Sequence, residues 1–434
     1  MIKIKKLDDL TKNEKFKLFN RFGDDFSNIL TETVIPIVKD VISNGDNAVI
    51  KYTEKFDGVK LKKIISGTDE IEAGYKKIDK KIISAFTKAK ENIEEFHLKQ
   101  KKSNLEYSRN DGTRLGIIHQ PIDSAGIYVP GGKASYPSSI LMGVIPAKIA
   151  GVEHITVITP PDKEGNIPDI VCAVCKIAGV TSIVKSGGAQ AIAAVGFGTE
   201  TVKKVNIIVG PGNIYVTAAK TYLFSQGLIQ IDSMAGPSEV LIAADESANP
   251  KWTAFDLLSQ AEHDEMAESI LVTPSIAFAE AVRDEIEKDL LSGVGRSSIK
   301  KKSISDNGLI LIVKDIDEAI SFSNNYAPEH MQLLVDDPFK YLDKIKNVGS
   351  LFLGHMSPVA VGDYYSGTNH ILPTGGSTRF SSGTSVDTFM RRTTYQYLTK
   401  EALSFARESF NIMSEVEGFN DKHGGSVNIR FEND

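Results

Sequence analysis

Cysteine is nearly absent: Cys172 and Cys175 are the only two in 434 residues, so no disulfide framework supports this fold. Their C-x-x-C spacing sits in an apolar helical stretch that ends at Gly179, with no second Cys or His pair nearby. Buried structural thiols are therefore expected, and not a metal or redox centre. No apolar run approaches the ~18 residues a bilayer span needs. The opening Met1-Ile-Lys-Ile-Lys-Lys-Leu-Asp-Asp has no apolar signal core, and a cytoplasmic protein is expected. Excess positive charge is also missing, the net charge being −6. The lysines of 76–81 and 99–102 are interleaved with Asp79, Glu91, Glu94 and Glu95, which reads as a solvated helix face and not a nucleic-acid footprint. Neither a G-x-G-x-x-G after a strand-like run nor a P-loop occurs, and there is no internal repeat or low-complexity tract.

What is present is enough chain for more than one core, 434 residues at 41% hydrophobic content. Residues 28–104 carry mostly helical spacing, as in Ile37, Val38, Val41 and Ile42. Thereafter short β-rich runs closed by Gly, Pro or Asp alternate with amphipathic stretches: Ile127-Tyr-Val, Ile155-Thr-Val-Ile-Thr, Ile183-Val-Lys, Ile207-Ile-Val, and Val240-Leu-Ile-Ala-Ala. The alternation resumes after 250, with strands expected at 269–273, 308–313, 331–335 and 350–353 and helices between them. Strands this uniformly apolar indicate parallel sheets covered on both faces. Leu115-Gly-Ile-Ile reads as one more such strand, 395–417 as one long helix, and Ser426-Val-Asn-Ile-Arg as a short strand. A terminal helix and arm of that size cannot enclose a core, so they are expected to pack on another domain or subunit.

In open α/β sheets ligands gather beyond the carboxyl ends of strands. Three Gly-rich exits qualify: Tyr128-Val-Pro-Gly-Gly, Ser186-Gly-Gly-Ala-Gln190 and Val209-Gly-Pro-Gly-Asn213. Glycine lets backbone approach a ligand, and a following helix N-terminus offers N–H groups to phosphate. Gln260 and His263 are spaced i, i+3 on an expected helix, and Asp363 and His370 share a loop-like segment, Gly362-Asp-Tyr-Tyr-Ser-Gly-Thr-Asn-His. A Gln, a His, an Asp and a further His of this kind make an N/O donor set such as zinc takes. The adjacent Glu329 and His330, behind Pro328, pair a carboxylate with an imidazole, the two groups most used for proton transfer.

Seven motifs in this order resemble the histidinol dehydrogenase family: Tyr128-Val-Pro-Gly-Gly with Tyr136-Pro-Ser-Ser, Gly187-Gly-Ala-Gln-Ala, Gly210-Pro-Gly-Asn, Ala235-Gly-Pro-Ser-Glu, Ser259-Gln-Ala-Glu-His, Tyr326-Ala-Pro-Glu-His, and Gly362-Asp-Tyr with Asn369-His. The likeness runs from about residue 28 to 430. It implies two successive NAD-linked oxidations of L-histidinol, through histidinal and its hydrate, to L-histidine, assisted by zinc. Zinc would be held by Gln260, His263, Asp363 and His423, and NAD would meet Tyr128, Gln190 and Asn213. Ser238, Gln260, His263, His330, Asp363, Glu417 and His423 would line the substrate. His330 would be the general base and Glu329 would activate the hydrating water.

The resemblance further implies a homodimer whose C-terminal arm enters the partner's site, and no nucleic-acid or membrane partner. It implies an α/β fold of two Rossmann-like parallel-sheet domains, one inserted in the other: an arm at 1–27, a larger domain at 28–128 and 238–383, a smaller one at 129–237, and a swapped helix and arm at 384–434. In the family the tail Glu precedes the metal His by five residues, whereas six separate Glu417 from His423 here. That departure bears on Glu417 and leaves a paralogue acting on another small polar alcohol as one alternative. A zinc hydrolase using Glu329 to activate water is the other.

Overall fold

The computed structural model describes residues 2–21, 26–131, 136–234 and 236–432; Gly132 and Ala235 of the quoted motifs lie outside them. The chain divides into two compact units, residues 1–100 with 122–389, and residues 101–121 with 390–434.

The first unit holds two six-stranded sheets. In one, the spatial order is Lys3–Lys6, Gly308–Ile312, Glu268–Thr273, Glu239–Ala244, His330–Leu334, Ser350–Leu353, all parallel. In the other it is Ile65–Ser66, Ile183–Lys185, His154–Thr159, Ser124–Tyr128, Ile207–Val209, Gln230–Ile231, parallel except for the first. Setting aside the edge strand that arrives from earlier in the chain, each sheet runs third, second, first, fourth, fifth in chain order. This is the doubly wound arrangement, whose order reverses between the first and fourth strands.

The α/β class and the parallel sheets match expectation. Sheet membership is wider than the expected smaller domain at 129–237. The second sheet also takes its central strand Ser124–Tyr128 and an edge from Ile65–Ser66. The helix Ile35–Asp57 buries Ile37, Val38, Val41 and Val49 against Ala189, Ile192 and Val195 of the helix Gly188–Phe197. The first sheet packs on Leu257, Phe278 and Val282 on one face and on Ile320, Phe322 and Tyr326 on the other.

The second unit corrects three expectations. Arg114–Pro121 is the middle strand of a three-stranded antiparallel sheet, between Leu105–Ser108 and Met390–Tyr397, and belongs to no parallel sheet. The expected helix 395–417 starts at Lys400, because Thr393-Thr-Tyr-Gln-Tyr397, β-branched and aromatic, pairs with Arg114–Ile118. The tail 426–430 is not a strand: Lys422–Asn428 is helical and runs into a 3-10 turn, Ile429–Phe431. Asn428 fixes it, its Oδ1 accepting from Arg407 Nε at 2.6 Å. At Gly424 an added Cβ would lie 2.8 Å from Ser414 Oγ, so glycine permits this close helix contact.

Candidate functional site

At the reversal point of the second sheet, the carboxyl ends of Ser124–Tyr128 and Ile207–Val209 face each other. Gly210 takes φ 122°, and a Cβ there would meet the Tyr128 carbonyl oxygen at 2.1 Å. Only glycine closes this gap. Asp232 accepts from the Gly210 N–H at 2.8 Å, while Lys220 Nζ donates to the Gly210 carbonyl at 3.1 Å and to Asp232. The loop is thus clamped by a buried ion pair. Asn213 caps the next helix, its Oδ1 accepting from Tyr215 and Val216 N–H, each at 3.1 Å. The Tyr128 phenol accepts from Gly188 N at 3.1 Å, and burial pushes it up to about 12. Gln190 stands one turn into the same helix with its Oε1 buried and unpaired among the described residues. Tyr128, Gln190 and Asn213 therefore all lie at the carboxyl edge of this one sheet.

The reactive pair lies at the other end of the first sheet. The helix Ile316–Tyr326 stops at Ala327, the sole non-glycine residue at positive φ (57°) among the described residues. Pro328 follows, and His330 begins its strand opposite Val240. Glu329 and Glu239 exchange contacts across the two strands: Glu239 N–H donates to Glu329 Oε2 at 2.9 Å and Glu329 N–H to Glu239 Oε2 at 3.3 Å. His330 Nδ1 is 3.0 Å from the Glu239 carbonyl oxygen, which can only accept, so Nδ1 carries the proton. Its Nε2 has no hydrogen-bond partner among the described residues and stands 3.7 Å from Asp363 Oδ1. Burial disfavours the imidazolium, but Glu329 at 3.4 Å, then Asp363 and the Glu239 carbonyl, outweigh it and raise the group to about 9.

Gln332, on the same strand face as His330, donates to Asp256 Oδ2 at 2.8 Å. Gln260 is one turn further along that helix, Pro250–Ala261, and its buried Nε2 is likewise unpaired among the described residues. His263 falls two residues beyond the helix end, so the expected i, i+3 pair on one helix is instead a helical Gln260 and a half-buried His263 in the turn that follows. Asp363 lies on a short helix, Val359–Tyr364, and not in a loop. His370 donates from Nδ1 to the Asp363 carbonyl at 2.8 Å and accepts at Nε2 from Ser139 Oγ at 3.0 Å, tying that helix to Ser138–Ala150. Ser238 is half-buried beside Glu239, its carbonyl accepting from Glu268 N at 3.0 Å.

Among the described residues no three His, Cys, Asp or Glu side chains converge on one point. Glu417 and His423 belong to the second unit: Glu417 caps the helix Lys400–Val416, and the His423 ring stacks near Phe410 and Phe419, each at 5.9 Å. The sequence reading gave no role to Glu239, Arg21 or His370. The Arg21 guanidinium grips Glu239 with Nε–Oε1 at 3.0 Å and Nη2–Oε2 at 2.8 Å, lies 3.7 Å over the Tyr326 ring, and donates to the Tyr326 carbonyl at 2.9 Å. Nothing local in the sequence signals a partnership spanning 218 residues.

A family model described as histidinol dehydrogenase matches residues 21–431. The histidinol dehydrogenase of Leptospira interrogans serovar copenhageni is 50% identical over 413 residues, covering 95% of this chain and 96% of that one. That of Methanocaldococcus jannaschii is 46% identical over 419 residues, with 96% of each covered. The crystal structure of histidinol dehydrogenase from Elizabethkingia anophelis superposes with a TM-score of 0.92 at 38% identity, covering 100% of this chain and 98% of that one. With matches of this extent over both sheets and the arm, the chain belongs to the histidinol dehydrogenase family.

Proposed function

We propose that this enzyme oxidises L-histidinol through L-histidinal to L-histidine, closing histidine biosynthesis, with NAD as hydride acceptor and zinc as the bound metal. The observation that carries the reading is His330: one ring nitrogen is committed to a backbone carbonyl and the other is free, buried and aimed at Asp363. In its neutral form, which requires the proton that Glu329 and Asp363 favour on it to leave, this ring has the geometry of a general base whose tautomer is fixed by its neighbour. In the first oxidation Nε2 takes the hydroxyl proton as hydride leaves the carbinol carbon. In the second, Glu329 activates the water that hydrates the aldehyde, and the hydrate gives its hydride to a second NAD and its hydroxyl proton to His330 Nε2, which has passed the first proton to solvent.

Gln260, His263 and Asp363 would hold the metal with His423 completing the set, and Ser238 and Glu417 would line the substrate. The amide of Gln260, buried with its Nε2 unpaired among the described residues, fits that assignment. When bound, zinc would orient the substrate and polarise its hydroxyl. NAD would lie along the edge of Tyr128, Gln190 and Asn213, where glycines let backbone approach a ligand beside two helix starts.

A homodimer is supported by the second unit's exposed apolar side chains, among them Phe405, Met413, Val416 and Phe419. No helix among the described residues is long and apolar enough to cross a membrane, which accords with a cytoplasmic enzyme. The test is NADH formation by purified, zinc-loaded protein: two equivalents per L-histidinol are expected. Turnover of another small polar alcohol with none of histidinol would overturn the substrate, and the six-residue spacing from Glu417 to His423 is where that difference would originate. His423→Ala should lose zinc. Mixed with a His330 variant it should regain activity if sites are shared between subunits.

A further inference from the structure

Glu239 offers four hydrogen-bonding contacts to the reactive corner. Its N–H holds Glu329 Oε2 at 2.9 Å and its carbonyl holds His330 Nδ1 at 3.0 Å. Its carboxylate accepts from Glu329 N at 3.3 Å and from Gly375 N at 2.7 Å. With Arg21 each oxygen accepts two N–H groups, Oε1 from Gly375 and Arg21 Nε and Oε2 from Glu329 and Arg21 Nη2, which leaves no place for a proton and fits an ionised group. Yet this carboxyl is 1% exposed and shares its surroundings with Glu268 and Glu329, both of which favour its protonation. Burial first, then these two acids, push the group up to about 7, and Arg21 works against that rise, since a guanidinium never gives up its proton and meets both carboxylate oxygens as a fork.

We propose that Arg21 and Glu239 are positioning residues for the reaction: Arg21 keeps Glu239 an acceptor, and Glu239 sets the register of Glu329 and the tautomer of His330. The proposal rests on His330 acting as base. It assigns the N-terminal segment a part in catalysis. If Glu239 carried a proton, its O–H would point at an N–H of Glu329 or Gly375, the strand start would shift, and His330 Nε2 would lose its aim. A positioning error of about 1 Å is enough to slow a reaction on the order of a hundredfold.

The test compares zinc-loaded variants by kcat, KM for L-histidinol and NAD, zinc content and Tm. Glu239→Gln should lower kcat about 10- to 100-fold, the range for outer partners of a reactive group, with both KM values and zinc retained. Arg21→Met should lower both kcat and Tm, because it strands a buried carboxylate, whereas Arg21→Lys should recover part of each. The deciding variant is Arg21→Met/Glu239→Gln, in which no charge is left unpaired. Its Tm should rise above that of Arg21→Met while kcat stays as low as in Glu239→Gln. Recovery of kcat together with Tm, or an unchanged kcat in Glu239→Gln, would overturn the proposal and leave a purely structural ion pair. Should Glu239→Gln fail to fold, the double variant and Arg21→Lys decide alone. A wild-type enzyme inactive on histidinol would instead overturn the functional reading, so the two failures are separable.

Discussion

The two sheets of the first unit share one strand order, and in both the order reverses between the first and fourth strands, but their chemistry sits at opposite ends. In the second sheet the carboxyl ends open onto glycines, Gly187-Gly188 and Gly210-Pro-Gly, and two helix starts. In the first sheet the corresponding exits carry acids, Asp245 after Glu239–Ala244 and Asp336 after His330–Leu334, which repel a phosphate. Its reactive groups instead stand at the amino ends of the same two strands. There they are held by amides and a carbonyl of the strand start, whose partners the sheet ladder has not yet claimed. A repeated topology therefore supplies two kinds of rim: one lined by glycines and helix starts, and one that fixes two acids and an imidazole against each other.

Breaking the amino rim should have the larger effect. His330→Asn is expected to lower kcat about 10²- to 10⁴-fold with zinc still bound, measured by steady-state kinetics and metal analysis; loss of metal would make His330 a ligand and not a base. Next comes stability. In metal-free protein His330 titrates at about 9, above its ordinary ~6.5 when unfolded, so protonation favours the fold. That contribution is complete at and below pH ~6.5 and disappears as pH rises to about 9, on the order of 3 to 4 kcal/mol in all at ~1.4 kcal/mol per unit. Urea unfolding at the two pH values should show it, and His330→Asn should flatten the difference.

The carboxyl rim should respond more mildly. Asn213→Ala removes a helix cap worth about 1 kcal/mol and is expected to raise KM for NAD several-fold while kcat at saturating NAD is kept. A fall in kcat with unchanged KM would place Asn213 in the other rim's business. The smallest effect is expected at Cys172 and Cys175, where burial pushes the first thiol up to about 12 and the second well above its ordinary range. Folded protein should resist a thiol reagent at neutral pH, with full labelling on denaturation.

Much of this was readable before the fold was seen. Strands buried on both faces announce themselves as continuous apolar runs, which is why the order from Ser124 to Leu353 emerged nearly complete. The Gly-rich exits and the Glu329–His330 pair were legible because their chemistry is compressed into a few adjacent residues. The strand Met390–Tyr397 was not, since its alternation is weak and its pairing to Arg114–Pro121 is distant in sequence. Nor was the tail helix, whose glycines argue against a helix until Ser414 and Asn411 are seen to need them close. Arg21 was invisible for a different reason: an isolated arginine in a polar segment has no periodicity to betray a buried role.

The reach of Arg21 also sets the order in which the molecule can become reactive. Its contacts to Glu239 and to the Tyr326 carbonyl span 218 and 305 residues. Contacts so distant in sequence form late, because the intervening chain must first be gathered. During synthesis the arginine waits through most of translation before its acceptors exist. A half-folded chain can thus own a finished Gly-rich rim in the second sheet while Glu239, Glu329 and His330 in the first are still unheld. Activity then reports the completion of the whole first unit, and a recovery-of-activity trace during refolding should lag behind the return of helical signal.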